Sequence, residues 1–545
     1  MEVESPLVAC AEGAGSARCE ELFRNLKNPY YLGDEPGLTQ TLGWVDAWIS
    51  RPSVYAVAAQ TTGDVLAAVN FAREHNLRLV VKGGGHSYQG TSNAADSLLI
   101  WTRRMNAVLV HDSFVPAGCE GKEEPRPAVT VGSGALWGHV YDAVTTKAGR
   151  YVQGGGCLTV GVAGLIQSGG FGSFSKRYGL AAASLIEAEI VTADGKVRIA
   201  NSCSNPHLFW AIKGGGGGSF GVVTQMTLRT HALPDHFGAV FARIEAASDD
   251  AFRQLIGRFL EFYRSTLFNP HWGEQVRFRP GNVMDLAMVF QGLDQEAAEA
   301  VWRPFFDGLA ASPHDVRLAS PPTILAAPAR RFWDPDFLQQ IQGVALTDER
   351  PGAPRGNIFW AGNLEEAGQV LQAYQSAWLP AALLEQHRQG DLTEALFTAS
   401  RHWSLSLHFN KGLAGAPAQV VGAAADTATN PAALDAFALL ISAAEDPPAY
   451  PGIPGHEPDV TGARRVAERI DRAMGAVRTL VPQPASYLAE SNFFEESWQE
   501  AFWGPNYARL LAVKDRYDPG GLFVVHHGVG SERWSPDGFV RATAP

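Results

Sequence analysis

The apolar residues of this chain fall into two textures, and the change comes at Pro234. Before it, short apolar runs end in clusters of glycine. Leu77 to Val81 is such a run and predicts a buried strand, which stops at Gly83, Gly84 and Gly85. Ahead of it, Val65, Ala68, Val69 and Ala72 recur at helical spacing. They predict a helix from Thr62 to His75 that Asp64 can cap. Leu98–Trp101 and Val129–Val131 read as strands, and Leu136 to Ala148 as a helix. Ser184 to Ala193 reads as a strand that turns at Asp194-Gly195 into Lys196 to Ile199. Asn205 to Ile212 reads as a short helix with Pro206 in its first turn, and Val222 to Thr230 as a strand.

After Pro234 the glycine clusters stop. Phe252, Leu255, Ile256, Phe259 and Leu260 share one face of a helix over Asp250 to Arg264. Gln295 to Phe306, and the stretch around Val466, Ile470, Ala473 and Val477, are helical in the same way. Met284, Leu286, Met288 and Phe290 alternate as in a half-buried strand. Trp403, Leu405, Leu407 and Phe409 also alternate. That leaves His402, Ser404, Ser406, His408 and Asn410 together on the opposite face.

Chemistry concentrates in the glycine clusters. In the first, VVKGGGHSYQG, glycines directly after a strand let the backbone turn tightly and aim amides at an anion, and His86 and Tyr88 follow on the same loop. The second, GGGCLTVGVAGLIQSGGFG from Gly154 to Gly172, holds too much glycine for a stable helix. Its apolar residues are small, as close packing on a flat ligand requires. The third runs from Gly214 to Gly218. Its Gly216-x-Gly218-x-x-Gly221 matches a dinucleotide fingerprint in form only. A helix precedes it and a strand follows, the reverse of what that fingerprint needs, so a Rossmann nicotinamide site is rejected.

At 545 residues the chain is too long for one core, and two or three domains are expected. A formal charge of −12 argues against a nucleic-acid partner, and no apolar run is long enough to predict a membrane span. No zinc site or other metal is expected, because none of the five cysteines forms a CxxC pair. If Cys157 is used chemically, Cys10, Cys19, Cys119 and Cys203 remain, enough for two disulfides in an oxidising compartment, with the pairing open. Met1 to Gly13 does not read as a signal peptide. The expectation is an exported protein numbered without its leader, with a cytoplasmic protein as the alternative.

Three elements in order, GGGHSYQG, GGGCLTVGVAGLIQSGGFG and KGGGGGSFGVVT, followed by a terminal YDPGGLF, resemble the flavin-linked oxidases of the vanillyl-alcohol oxidase and p-cresol methylhydroxylase superfamily. The nearest branch is the berberine-bridge-enzyme-like one. The resemblance implies an α+β fold: a two-part FAD-binding domain over residues 1–235, with its core at about 53–234. It also implies an inserted antiparallel-sheet substrate domain covered by helices over 236–480, and a C-terminal segment, 481–545, returning to the FAD domain. It implies FAD held by two covalent bonds, His86 to a methyl carbon of the flavin ring and Cys157 to a neighbouring ring carbon.

By the same resemblance Gly83, Gly84, Gly85 and Ser87 would cradle the pyrophosphate, with Lys82 adding charge and Gly90 also among the cofactor-binding residues. Thr159, Gly161, Gly164, Ser168, Gly169 and Gly170 would line the flavin. Gly218 and Val223 would lie towards the adenine or ribose, and His526, beside His527, near the flavin edge. The implied activity is hydride transfer from a small organic alcohol, or a related C–H donor, with molecular oxygen as acceptor and hydrogen peroxide as product. A flavin dehydrogenase and a flavin-bound binding protein with little turnover stand as alternatives. Sugar oxidases of the family resemble Tyr-x-Asn-Tyr where this chain has Tyr487-Leu488-Ala489-Glu490. The second tyrosine is thus Glu490, a candidate base if a dry pocket raises its pKa. Tyr88, Tyr487, His408 and Asn410 complete the candidate catalytic set, and loss of the tyrosine pair argues against a sugar substrate.

Overall fold

The computed structural model describes residues 1–11, 13 and 15–542. Near the N-terminus, the strands Tyr55–Ala58, Leu98–Trp101 and Leu79–Lys82 form a small parallel sheet with Leu98–Trp101 in the middle. The helix Thr62–Glu74 covers it, and Val65, Ala68, Val69 and Ala72 are its buried residues, as the spacing predicts. Its start is a reciprocal cap: the Thr61 hydroxyl accepts from the Asp64 amide, and the Asp64 carboxylate accepts from the Thr61 amide.

A second, antiparallel sheet runs in the order Lys196–Asn201, Leu185–Thr192, Val222–Ala232, Arg126–Gly132, Val108–Phe114. Asp194-Gly195 makes its hairpin, with Gly195 at φ 67°. Between them lie the glycine clusters. The second cluster departs from expectation, because Val162–Gln167 is helical. Six residues between Gly161 and Ser168 complete a short helix whose buried side chains, Val162, Ala163 and Ile166, supply what propensity withholds. The helix expected from Leu136 to Ala148 is a short α-helix, Trp137–Tyr141, continued by a π-helical turn, Asp142–Lys147.

The largest sheet has ten strands, and its middle is antiparallel in the order Val283–Gln291, Trp272–Arg279, Leu405–His408, Ala436–Asp446, Gln369–Pro380. The helices Asp249–Phe262, Gln295–Ala310, Gln389–His402 and Val460–Arg478 bury their apolar faces in one core with one face of this sheet. Leu405, Leu407 and Phe409 point into that core, while Ser404, Ser406, His408 and Asn410 line a cavity on the other side. The alternation is shorter than expected. His402 ends a helix, and the strand is Leu405–His408.

The residues up to about Arg51 form a lead-in to the flavin half. Thr41–Trp44 pairs in parallel with Gln369–Pro380, so this segment extends the large sheet rather than serving the flavin half alone. The C-terminal segment packs Trp498, Phe502, Trp503 and Leu510 into the same core as Leu208 and Trp210 beside the third glycine cluster. Cys10 bonds to Cys19 and Cys119 to Cys203, and Cys157 is free. Among the described residues no helix is long and apolar enough to cross a membrane.

Candidate active site and FAD cradle

Between the glycine clusters and the polar face of the large sheet lies a cavity of about 1460 Å³. That exceeds the roughly 300–1,000 Å³ of an ordinary small-molecule site and leaves room for a dinucleotide together with a substrate. At its floor the first two clusters meet backbone to backbone: a Cβ on Gly84 would sit 2.7 Å from the amide nitrogen of Gly161. Gly85 takes φ 75°, which turns the chain into the His86 loop.

This floor fits a bound pyrophosphate. Gly84 and Gly85 are buried. Among the described residues, none accepts a hydrogen bond from the amides of Gly84, Gly85, His86 or Ser87. Buried amides without partners are rare, and a run of them makes a nest for an anion. The Ser133 hydroxyl, also without a partner, lines the same floor beside Gly83.

His86 and Cys157 converge on Thr159. The Thr159 hydroxyl lies 3.2 Å from His86 Nε2 and 3.5 Å from Cys157 Sγ. Burial pushes the His86 imidazole down to about 4, so the ring is neutral at physiological pH. Burial, with the Glu366 carboxylate nearby, pushes the Cys157 thiol up to about 12.

Of the other expected cofactor residues, Gly161, Gly164, Ser168, Gly218, Val223 and His526 line the cavity. His526 is stacked between Phe493 and His527, with Nε2 held 3.0 Å from the Phe493 carbonyl. Four expected residues stand elsewhere. Lys82 is turned away from the phosphate floor: its ammonium donates to the carbonyls of Glu35, Pro36 and Leu38 and fastens the lead-in segment. Gly90 leaves room for the Trp48 indole, Gly169 for Thr429 and Gly170 for Leu165, so these glycines serve packing.

The candidate catalytic residues Tyr88, His408, Asn410, Tyr487 and Glu490 all face the cavity. Burial holds His408 well below the ordinary histidine range, and its Nε2 lies 2.9 Å from the Ser406 hydroxyl. Asn410 donates weakly to the Gly172 carbonyl at 3.4 Å. Tyr487 packs edge-on against Phe171, and burial raises its phenol. Glu490 departs from expectation. It is not a lone carboxylate in a dry pocket, because the Lys411 ammonium donates to it.

Three cavity residues escape the sequence reading. Glu366 accepts from Asn363 Nδ2 at 2.7 Å and makes no ion pair among the described residues, and burial raises its carboxyl to about 7. Lys411 is the partner of Glu490. Tyr374 stacks obliquely on Tyr88, with ring centroids 5.2 Å apart. None of the three lies in a motif. Segments distant in sequence bring them to the cavity: Tyr374 from the strand Gln369–Pro380, and Glu366 and Lys411 from the short 3-10 turns Ala361–Glu366 and Phe409–Lys411.

Residues 53–201 match the FAD binding domain family, and residues 486–530 the berberine and berberine like family. A FAD-linked oxidoreductase of Penicillium thymicola is 31% identical over 504 residues, 90% of this chain and 78% of its own. A VAO-type flavoprotein oxidase of Thermothelomyces thermophilus is 30% identical over 494 residues, 89% of this chain and 77% of its own. The crystal structure of a VAO-type flavoprotein from Myceliophthora thermophila C1 matches with a TM-score of 0.78 at 25% identity, over 99% of this chain and 95% of that one. A glucooligosaccharide oxidase of Acremonium strictum, which carries 6-S-cysteinyl, 8α-N1-histidyl FAD, shares the fold at a TM-score of 0.64 and 18% identity, over 88% of this chain and 91% of that one. The fold and the nucleotide floor thus define a flavoprotein of the vanillyl-alcohol oxidase and berberine-bridge-like class. Within that class the chain belongs to the FAD-linked oxidoreductases and is an FAD-dependent enzyme.

Proposed function

We propose that this protein is an oxidase whose FAD is bonded to both His86 and Cys157. It takes a hydride from a small organic alcohol, or a related C–H donor, and oxygen receives the electrons as hydrogen peroxide. The observation that carries this reading is the convergence on Thr159. One hydroxyl reaches both His86 Nε2 and Cys157 Sγ, so the two side chains are close enough to hold one ring. Thr159 engages Nε2, which leaves Nδ1 as the histidine nitrogen free to form a bond. The neutral imidazole keeps a lone pair for it.

Bound FAD supplies a two-electron acceptor at the cavity floor. The chain's own residues do the rest. Gly84, Gly85 and Ser87 bind the pyrophosphate through their amides. Glu366 takes the substrate's hydroxyl proton, with a carboxyl near 7 that is matched to neutral pH. Lys411 and Glu490, joined as a pair, with Tyr88 and Tyr374, position the donor on the roof of the cavity. His408, kept neutral, offers a hydrogen bond without a charge. Two disulfides support an exported protein matured in an oxidising compartment.

The test is anaerobic mixing of the holoenzyme with a panel of aromatic and aliphatic alcohols, followed by air. Bleaching of the flavin, then recovery of the yellow colour with stoichiometric peroxide, is expected. Bleaching without peroxide would replace the oxidase with a dehydrogenase, and no bleaching by any donor would overturn the reading.

A further inference from the structure

The strand Trp272–Arg279 forms part of the cavity roof and turns Gln275, Arg277 and Arg279 towards the open space. Two cations of this roof are already paired. Arg279 is bound to Asp285, and Lys411 to Glu490. Arg277 is different: among the described residues its guanidinium makes neither an ion pair nor a hydrogen bond. Asp285, opposite it in register, is engaged by Arg279. Glu445, on the strand Ala436–Asp446, faces the same cavity and does not close on Arg277.

The surroundings of Arg277 sharpen the point. Ser406 and Ile441, level with it on the next two strands, line the cavity, but the Ser406 hydroxyl is taken up by His408. Phe241, Ala287 and Trp403 make the neighbouring wall apolar. Desolvation and the nearby Arg279 work against the charge on Arg277, while the carboxylates of Asp285 and Glu445 favour it. Arg277 is exposed to the cavity, and with no partner its five N–H donors are available to an anionic group of a ligand.

We propose that the substrate carries a carboxylate, and that Arg277 binds it through two parallel N–H donors. The proposal rests on the cavity being a substrate chamber above FAD. The planar fork of an arginine fits a carboxylate. A phosphate dianion would call for further donors, and the nearest cation, Arg279, is already paired with Asp285. Glu274 lies by Gly156, next to Cys157. Arg277 is three residues further along the strand, roughly 10 Å at the usual rise. The acidic group therefore sits several bonds away from the carbon that is oxidised.

The test uses holoenzyme and a series of non-reacting probes: benzoate, phenylacetate, 3-phenylpropanoate and 4-phenylbutanoate, each beside its primary amide. Binding is followed by calorimetry for wild type, Arg277→Met and Arg277→Lys, with retained FAD as the check on folding. Wild type is expected to bind at least one acid about tenfold more tightly than its amide, Arg277→Met to lose that preference, and Arg277→Lys to keep part of it. Equal binding of acid and amide throughout the series, no binding of either, or a preference that survives in Arg277→Met would overturn the proposal. Alcohol oxidation is read separately. An acid-selective cavity in a protein that no alcohol bleaches would leave Arg277 in its role and remove the oxidase reading, and the reverse result would remove only the carboxylate.

Discussion

The Lys411 ammonium is hydrogen-bonded to the carboxylate of Glu490, 79 residues further along the chain. The pair is largely buried, with side-chain exposures of 11% and 21%, so Glu490 has a fixed cationic partner. Glu366, on the same cavity, has none among the described residues. In the proposed function this division gives Glu366 the proton-accepting role and Glu490 a positioning role.

The first prediction concerns pH. Burial raises the Glu366 carboxyl to about 7, so the form able to accept a proton accumulates as pH rises through that value. With a substrate alcohol in hand, kcat/KM should climb towards a plateau above about pH 7. Glu366→Gln should abolish that limb and lower kcat/KM by about 10²- to 10⁴-fold. Glu490→Gln should raise KM while leaving the limb in place. A profile unchanged by Glu366→Gln would return the proton to another group.

The second concerns Lys82. Its ammonium satisfies three backbone carbonyls of the lead-in segment. Lys82→Met should therefore lower stability by about 1–3 kcal/mol, read as a shift of the urea midpoint. FAD content per chain should stay at the wild-type level, because the side chain does not reach the phosphate floor. Loss of FAD from an otherwise folded Lys82→Met protein would restore the phosphate role.

The third concerns the C-terminal return. Lys514 donates to the Ser219 carbonyl at 2.7 Å and the Phe523 carbonyl at 2.5 Å, and is paired with the buried Asp518 at 2.7 Å. Removing one partner of a buried pair strands the other charge. Lys514→Met should cost about 3–5 kcal/mol in denaturant unfolding, and Lys514→Met with Asp518→Asn markedly less than the two single changes taken together. Additive effects would contradict the pairing.

The three glycine clusters and the polar strand face at His408 were legible because each depends on local spacing, which the sequence displays directly, while His86 and Cys157 were singled out by the resemblance of their motifs to those of a flavoprotein family. The failures have local causes too. Lys82 sits one residue before a glycine loop and so looked like a phosphate ligand, yet a strand alternates its sides and this position faces the lead-in. Val162–Gln167 is a helix because burial of three small or branched side chains outweighs the glycine around it. Glu366, Lys411 and Arg277 were illegible. They occupy ordinary polar positions, and the cavity gathers them from segments distant in sequence, as in the pairing of Arg277 with Ser406, 129 positions apart in the numbering.

The central claim is that His86 and Cys157 hold one flavin between them, and mass spectrometry of acid-denatured protein tests it most directly. Wild type, His86→Ala and Cys157→Ala should each retain the mass of one FAD, with peptides modified at both, at Cys157 alone and at His86 alone, and the double variant should retain none. An unmodified wild-type chain, with all its yellow colour released into the acid supernatant, would contradict the account.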